Sequence, residues 1–267
     1  MTGQPDRSGS RSGARPIVLQ VAYDGSGYEG WQLQPGRPTV QGELERALGV
    51  IHGTAERIPV VGSSRTDAGV HALGQVASYR PPSPRSIRAL AAGLAKLLPP
   101  AIRVLAVAEA PEGFHPCRSA VGKTYRYRIV NRPLMLPFER HWAWHLRAPL
   151  DTGAMERAAA ALVGRHDFTS FATAGGPERD NTRHLRRLNL RLSPDRVLEI
   201  EAQADGFLYR MVRNLAGFLV EVGRGRIEAD RSGEILRARS RALVGHTAPA
   251  RGLCLVQVDF PPQQAPW

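Results

Sequence analysis

The order of strand-type and helix-type segments most narrowly limits how this chain can fold. Short apolar runs bounded by turn residues predict strands, and apolar residues three or four positions apart predict helices. The first half has the order strand, helix, strand, strand, helix, strand, at residues 17–23, 40–51, 58–61, 74–79, 86–98 and 102–108. Thr39 is the predicted N-cap of the first helix. This order is typical of a split βαβ, ferredoxin-like arrangement.

The second half follows a similar plan less regularly. We expect strands at residues 125–130, 141–146, 185–192, 197–204 and 253–260, and helices at residues 154–162 and 211–222. The prediction is an α+β protein with two ferredoxin-like or RRM-like halves, mainly antiparallel sheets and a central basic cleft. The predicted domains are residues 16–112, which carry the catalytic loop, and residues 113–262. Residues 1–15, which are rich in Gly, Ser and Arg, and residues 263–267 are the predicted tails.

Charge indicates the class of partner. The 267 residues carry a formal net charge of +12, which predicts an acidic partner such as nucleic acid. Lys96 and Lys123 are the only lysines, so the arginine excess also fits a bias in genome composition. No apolar run is long enough to span a membrane and no signal peptide is present, so we expect a cytoplasmic protein.

Cysteine and histidine spacing bears on metals and disulfides. Cys117 and Cys254 are the only cysteines, and the histidines do not follow a metal-binding spacing. The sequence therefore predicts no disulfide framework, no metal site and no cofactor.

One carboxylate stands in an unusual setting within residues 62–76, GSSRTDAGVHALGQV. Thr-Asp-Ala-Gly is favourable turn chemistry, so a plain turn is one interpretation of Asp67. However, apolar segments flank the turn on both sides, which places Asp67 at a sheet rim with Arg65 close by. An oriented, ionised carboxylate can act as a nucleophile or a base. The sequence leaves both interpretations open.

Three further segments carry aromatic or basic residues. Residues 23–32, YDGSGYEGWQ, lack the glycine spacing of a phosphate loop, and their aromatics fit either base stacking or strand packing. Residues 123–128, KTYRYR, would place the lysine and both tyrosines on one strand face and the arginines on the other. That pattern suits RNA binding and also a half-exposed strand. The arginine-rich residues 179–191 fit phosphate contact or a solvated strand edge equally well.

An arginine is embedded in the most apolar helix-type segment. Arg213 stands among several large apolar residues: Phe207, Leu208, Met211, Val212, Leu215 and Leu219. Burying a guanidinium there is costly unless an anion receives it. The predicted partner is a carboxylate such as Asp67, or a phosphate.

Six segments in order resemble the motifs of the tRNA pseudouridine synthase A family, and they span nearly the whole chain after the tail. They are YDGSGYEGWQ (23–32), SRTDAGVHALGQV (64–76), FHPCRSAVGKTYRYRIVN (114–131), HDFTSF (166–171), MVRN (211–214) and PARGLCLVQVDF (249–260). One position departs from the pattern, because the family usually has glycine before Arg-Thr-Asp and this chain has Ser64. The departure removes no reactive group.

The resemblance implies isomerisation of uridine to pseudouridine at positions 38–40 of the tRNA anticodon arm. The uracil is detached from C1′ of the ribose and rejoined through C5, and the target base must first be flipped out of the stem. The resemblance also implies a homodimer that cradles the tRNA.

Matching positions supply the roles of the site residues. Asp67 matches the nucleophile, which attacks either C1′ or the uracil ring, and Arg213 matches the arginine that pairs with it. Tyr125 matches the residue that stacks on the target base and helps to move the C5 proton. The remaining matches are one residue that fills the space of the extruded base, Arg65, and two that pack against the pocket, Leu253 and Leu255.

Two functions other than an isomerase are alternatives. A catalytically silent RNA-binding protein could use the same basic cleft, although an inactive relative would be expected to have lost Asp67. A metal-dependent RNA hydrolase would need clustered carboxylates, and Asp67 has no close acidic neighbour in the sequence.

Overall fold

The first half of the chain contains the predicted order of elements. The computed structural model describes residues 15–173 and 180–267. The elements of the first half are β1 (Ile17–Tyr23), α1 (Val40–His52), β2 (Val61–Gly62), β3 (His71–Tyr79), α2 (Ile87–Leu97) and β4 (Ile102–Glu109). Of the predicted N-terminal tail, residues 1–15, only Arg15 is among the described residues. Arg179 of the arginine-rich segment lies outside them.

The second half is longer and less regular. Its elements are β5 (Gly122–Val130), β6 (Trp144–His145), α3 (Thr152–Ala160), β7 (Gly164–Asp167), β8 (Thr182–Leu192), β9 (Val197–Ala204), α4 (Met211–Gly223), α5 (Ser232–Ala238) and β10 (Leu253–Asp259). Short 3-10 turns connect several of them. None of the helices within the described ranges is long and apolar enough to cross a membrane.

The ten strands of the described residues belong to one mixed but mostly antiparallel sheet. Its order is β4-β1-β3-β10-β5-β9-β8-β7, with β2 paired to β3 and β6 paired to β5. The pairs β10–β3 and β5–β6 are parallel, and the other pairs are antiparallel. Strand β10, near the end of the chain, therefore joins the strands of the first half to those of the second.

Side-chain caps begin three of the helices. The Thr39 hydroxyl accepts a hydrogen bond from the Gly42 N–H, which confirms the predicted N-cap of α1. Ser86 caps α2 and Asp151 caps α3 in the same way. Each cap satisfies one N–H that has no partner within its helix.

Helix α4 is the most deeply buried helix of the second half. Nearly every residue from Met211 to Gly223 is buried, although Arg213 is not fully buried. Phe218 packs edge-on against Phe171, whose ring in turn meets Phe168. A helix that is apolar all round belongs inside a core, so this packing fixes α4 and places its N-terminal end at the site described below.

Two predicted strands are much shorter than expected. The strand expected at residues 58–61 is reduced to β2, because the backbone of Val60 bonds to helix side chains. Its N–H donates to Glu45 Oε1 and its carbonyl accepts from Gln41 Nε2. Pro59 also lacks an N–H for a ladder.

The strand expected at residues 141–146 is reduced to β6. Its neighbouring carbonyls accept hydrogen bonds from side chains: His141 O from His71 Nε2, and Ala143 O from Arg251 Nε. These contacts take the place of strand pairing. Elements β7 and α5 were not predicted, because a four-residue strand and a seven-residue helix are too short to show a clear period.

Candidate active site

The loop between β2 and β3 carries Asp67. The Val70 N–H donates to the Asp67 carbonyl at 3.1 Å, and Gly69 adopts a positive φ of 76°. Asp67 therefore takes part in a turn, as its local chemistry predicts. Its side chain is nevertheless directed to the second half of the chain. The interpretation of this motif as a turn and its interpretation as an oriented carboxylate are therefore compatible.

The aromatic and glycine-rich residues 23–32 pack against this loop and bond to Thr66. The Trp31 N–H donates to the Thr66 carbonyl at 3.0 Å, and the Tyr23 hydroxyl bonds to Thr66 Oγ1 at 2.8 Å. Gly30 has a φ of 92°, and a Cβ there would lie 2.5 Å from Thr66 O. The rings of Tyr23 and Trp31 are buried, so these two aromatics pack the fold and do not offer a stacking face.

Arg213 is the principal partner of Asp67. Its Nη1 donates to Asp67 Oδ2 at 2.7 Å, and its Nε donates to the Ala248 carbonyl at 2.8 Å. The side chain is 13% exposed, so both bonds lie largely out of solvent. The predicted pairing between this arginine and a carboxylate is present, and the Ala248 carbonyl fixes the guanidinium in one orientation.

A second arginine, Arg210, also faces Asp67. Its Nε lies 3.7 Å from Asp67 Oδ2, and its φ of 59° places the backbone in the left-handed region directly before α4. A non-glycine residue in that region is strained by about 1–3 kcal/mol, a type of strain that concentrates at functional sites. The positive end of the helix dipole adds to the attraction for the carboxylate.

Tyr125 lies close to this pair, on β5. Its hydroxyl shares a hydrogen bond of 2.7 Å with Ser64 Oγ, and its ring meets Phe207 edge-on at 5.2 Å. Burial raises the pKa of Tyr125 to about 12, with a further rise from the charge of Asp67, and the Ser64 bond partly opposes both. The tyrosine is therefore a neutral phenol at physiological pH.

Lys123 and Tyr127 share the strand face of Tyr125 but have different surroundings. The Lys123 ammonium donates to the Ser63 carbonyl at 2.7 Å, and burial lowers its pKa. The Tyr127 hydroxyl donates to the Pro249 carbonyl, and its ring is fully buried. Of the two tyrosines, only Tyr125 is directed to the cavity.

Asp67, Arg210 and Tyr125 line a cavity of about 760 Å³ between the Asp67 loop, β5 and the segment leading into α4. Arg65 lies on its wall and is exposed, and Leu253 is on the wall and buried. Leu255 lies outside the lining: it is fully buried and stands opposite Tyr125 in the β10–β5 ladder. The structure thus places four of the six predicted site residues on the wall of one cavity, and a fifth, Arg213, is bonded to Asp67 there.

The arginines of β5 and β8 lie on a strand face rich in ion pairs. Arg126 and Arg128 pair with the glutamates of β9, as do Arg187 and Arg191 of the arginine-rich segment. Arg183 and Arg186 donate to backbone carbonyls. The described part of this segment therefore lies on a solvent-facing strand, and phosphate contact by its arginines stays a prediction.

The described residues contain no group of three or more His, Cys, Asp or Glu side chains that could hold a metal ion. Cys117 and Cys254 are both free thiols.

Three residues of this site were not predicted from the sequence: Ser64, Phe207 and Arg210. Arg210 stands three positions before Arg213, a spacing that puts residues on one side of a helix, so this signal could have been used. Ser64 and Phe207 reach Tyr125 only through the folded sheet, and no local pattern indicates either contact.

A family model and the sequences of known relatives indicate the same family for this chain. The chain matches the family model described as tRNA pseudouridine synthase over residues 19–118 and 158–261. A relative from Myxococcus xanthus named tRNA pseudouridine synthase A is 42% identical over 94% of this chain and 95% of its own. A relative of the same name from Moorella thermoacetica is 45% identical over 91% of this chain and 99% of its own.

One solved structure is more distant. A chain of a Cbf5-Nop10-Gar1 complex aligns with 77% of this chain and 54% of its own, at 9% identity and a TM-score of 0.32. That score is too low to indicate a shared fold.

Proposed function

Because this chain belongs to the tRNA pseudouridine synthase A family, which isomerises uridine in tRNA, we propose that its targets are uridines 38–40 of the anticodon arm and that Asp67 is its nucleophile. The observation that carries the assignment of Asp67 is its 2.7 Å pairing with Arg213 at the wall of a large cavity. A carboxylate held in this way has a fixed orientation, as covalent catalysis requires.

The reaction exchanges one bond to the ribose for another. The C1′–N1 bond breaks, the uracil turns, and a C1′–C5 bond forms. C5 then loses its proton and N1 gains one, so substrate and product are isomers. Asp67 supplies the electron pair that attacks either C1′ or the uracil ring, and its carboxylate is regenerated when the product leaves.

Arg213 is proposed to orient Asp67, and Arg210 to add positive charge beside it. The bond from Arg213 Nε to the Ala248 carbonyl holds the guanidinium while Nη1 holds the carboxylate. Asp67 Oδ2 receives both arginines, which leaves Oδ1 as the oxygen available to the substrate.

Tyr125 is proposed to stack on the target base and to receive the C5 proton. Its burial against Phe207 fixes the ring, and its hydroxyl is placed by Ser64. Since the phenol is neutral, it can take up the C5 proton only while it releases its own hydroxyl proton to a neighbouring group, so it acts as a proton relay and not as a phenolate.

The cavity is proposed to receive a uridine that has been flipped out of the stem. A glycosidic bond inside a stacked stem is out of reach of a side chain, so extrusion must precede chemistry. Arg65, exposed at the cavity wall, would fill the space that the base leaves. Leu253 would pack against the base, with Leu255 supporting Tyr125 from the adjacent strand.

The test is incubation of the protein with an unmodified tRNA transcript, followed by mapping of pseudouridine at each position. We expect new pseudouridine at one or more of positions 38, 39 and 40 when uridine is present there. Transcripts with cytidine at all three positions serve as the control. Product confined to other positions would refute the assigned target.

The protein is further proposed to act as a homodimer in the cytoplasm, where it meets its tRNA. Large apolar side chains on the segment after β5 support the dimer, because Leu134 and Phe138 are 80% and 86% exposed in the single chain. Sedimentation of the purified protein should give twice the chain mass. A Phe138→Asp variant should shift it to the monomer, and a wild-type monomer at micromolar concentration would contradict the proposal.

The fold is proposed to consist of two ferredoxin-like domains, residues 16–112 and 113–262, around a central basic cleft. The antiparallel pairing of β1 with β3 and β4, and of β2 with β3, supports this plan in the first half. Limited proteolysis should cut near residue 112 in preference to sites within either half. Cuts spread evenly along the chain would argue against this boundary.

A further inference from the structure

Ser64 touches the residue to which the proposed function assigns the C5 proton. Its Oγ lies 2.7 Å from the Tyr125 hydroxyl, although the two residues are 61 positions apart in the chain. Within the described part of the chain, Ser64 is the one hydrogen-bonding partner of that hydroxyl. Tyr125 is only 6% exposed, so its hydroxyl has little access to solvent.

The backbone of Ser64 is held from both sides by one buried side chain. The Ser64 N–H donates to Gln75 Oε1 at 3.2 Å, and Gln75 Nε2 donates to the Ser64 carbonyl at 2.6 Å. Gln75 is fully buried in β3. This double contact resembles one rung of a strand ladder, and it fixes the Ser64 Cα–Cβ direction relative to Tyr125.

A tyrosine hydroxyl has one proton and two lone pairs, and it rotates to suit its partner. When the Tyr125 O–H donates a hydrogen bond to Ser64 Oγ, its lone pairs are left to face the cavity. As the C5 proton arrives, the phenolic proton passes to Ser64 Oγ, and the serine proton passes to solvent in the cavity, whose wall Ser64 also lines. Without this partner the hydroxyl can turn its own proton toward the substrate, which blocks acceptance of another.

We propose that Ser64 is a positioning residue for the isomerisation, and that its hydroxyl holds the Tyr125 hydroxyl with a lone pair toward C5 of the flipped uracil. This inference rests on the proposed role of Tyr125. It assigns to Ser64 no contact with the substrate. Ser64 thus acts on Tyr125, whereas its neighbour Arg65, which is exposed on the wall of the same cavity, is proposed to fill the space of the extruded base.

The test is a double-mutant cycle of Ser64→Ala and Tyr125→Phe, measured as single-turnover rates with saturating enzyme. Ser64→Ala in the wild-type background should slow pseudouridine formation about 10-fold, the effect of one lost hydrogen bond. In the Tyr125→Phe background the same change should have almost no effect, because the partner hydroxyl is already absent. The affinity for tRNA should stay constant in all four proteins.

A conservative variant and a matched control separate positioning from a general structural effect. Ser64→Thr keeps a hydroxyl and should be clearly faster than Ser64→Ala. Ser83→Ala removes another serine hydroxyl, which bonds to His52 Nδ1 outside the cavity, and should leave the rate unchanged. Thermal melting should show that each variant is folded.

Three outcomes would overturn the inference: no loss in Ser64→Ala, an equal loss in both backgrounds, or a threonine variant no faster than the alanine one. The proposed role of Tyr125 fails separately, if Tyr125→Phe alone reacts at the wild-type rate. A slow Tyr125→Phe protein together with a fast Ser64→Ala protein would remove only the role of Ser64.

Discussion

At the scale of single residues, the site depends on a charge pair drawn from distant parts of the chain. Asp67 and Arg213 are 146 positions apart, yet their side chains meet at 2.7 Å. Asp67 supplies the anion that Arg213 requires in an apolar helix, and Arg213 fixes the orientation of the Asp67 carboxylate. Breaking a largely buried pair by removing one member leaves an uncompensated charge. Substitutions here therefore affect both chemistry and stability.

Asp67→Asn is expected to abolish pseudouridine formation while most tRNA affinity persists. The amide keeps the shape of the carboxylate but is a far poorer nucleophile. Product formation and tRNA binding should be measured on the same preparation, with Asp195→Asn, which changes an exposed carboxylate, as the control. Substantial product from a clean Asp67→Asn preparation would remove Asp67 from this role.

Arg213→Lys is expected to slow the chemical step more than Arg210→Lys does. Lysine keeps the charge but cannot reproduce the two bonds that Arg213 makes through Nε and Nη1. We expect a loss of about 100-fold for Arg213→Lys, comparable to the loss of a catalytic hydrogen bond, and under about 10-fold for Arg210→Lys. Single-turnover rates give the comparison, and the opposite ranking would make Arg210 the principal partner.

Tyr125→Phe keeps the ring and removes only the hydroxyl. A stacking role alone predicts a mild effect, because stacking needs only the face of the ring. A proton-transfer role predicts a loss of about 10²-fold or more in the chemical step with tRNA binding little changed. We expect the larger loss. A rate near that of the wild type would leave Tyr125 as a stacking residue.

At the scale of elements, the Asp67 loop depends on the segment that follows β1. Thr66 is bonded through its carbonyl to Trp31 and through its hydroxyl to Tyr23, so the loop rests on two buried aromatics. Gly30 is the point of closest approach, and its backbone conformation suits glycine. The residues that position Asp67 thus include two, Tyr23 and Gly30, that do not line the cavity.

Gly30→Ala is expected to destabilise the protein and to lower activity. The positive φ alone costs about 1–2 kcal/mol, and overpacking against Thr66 adds about 1–3 kcal/mol. Gly36→Ala is a matched control, since Gly36 also has a positive φ but a Cβ there would meet nothing within 4 Å. Urea unfolding should show the larger loss for Gly30→Ala, and equal losses would mean that the contact with Thr66 is unimportant.

At the scale of the whole molecule, one sheet unites the two halves, and the site lies at their junction. Asp67 comes from the first half and Arg213 and Tyr125 from the second, while β10 lies between β3 and β5. Not all of the 36 basic side chains are free of acidic partners. Four arginines on the outer strand face share two glutamates, Glu199 and Glu201.

Affinity for tRNA is expected to fall steeply as salt concentration rises. Arginines that neutralise phosphates release counterions, so the affinity should drop about 10-fold or more between 50 and 200 mM salt. Filter binding or fluorescence anisotropy over this range gives the slope. The single-turnover rate at saturating enzyme should change little, which separates binding from chemistry. A nearly flat dependence would count against binding through the phosphates.

Local sequence determined most of the elements and the chemistry of the central residues. The span of β1, the Thr39 cap of α1, the order of the first six elements and the requirement of Arg213 for an anion all follow from neighbours within a few positions. Apolar periodicity and capping are short-range effects, so they can be predicted from a short stretch of chain.

Tertiary structure alone decided how those residues are combined. It selected Asp67 as the anion for Arg213, brought Arg210 and Ser64 into the site, and buried Leu255 away from the cavity. It also shortened the strands expected at residues 58–61 and 141–146, because side chains from remote elements took their backbone bonds. Every backbone polar group that is buried must find a partner, and the partner is known only once the chain has folded.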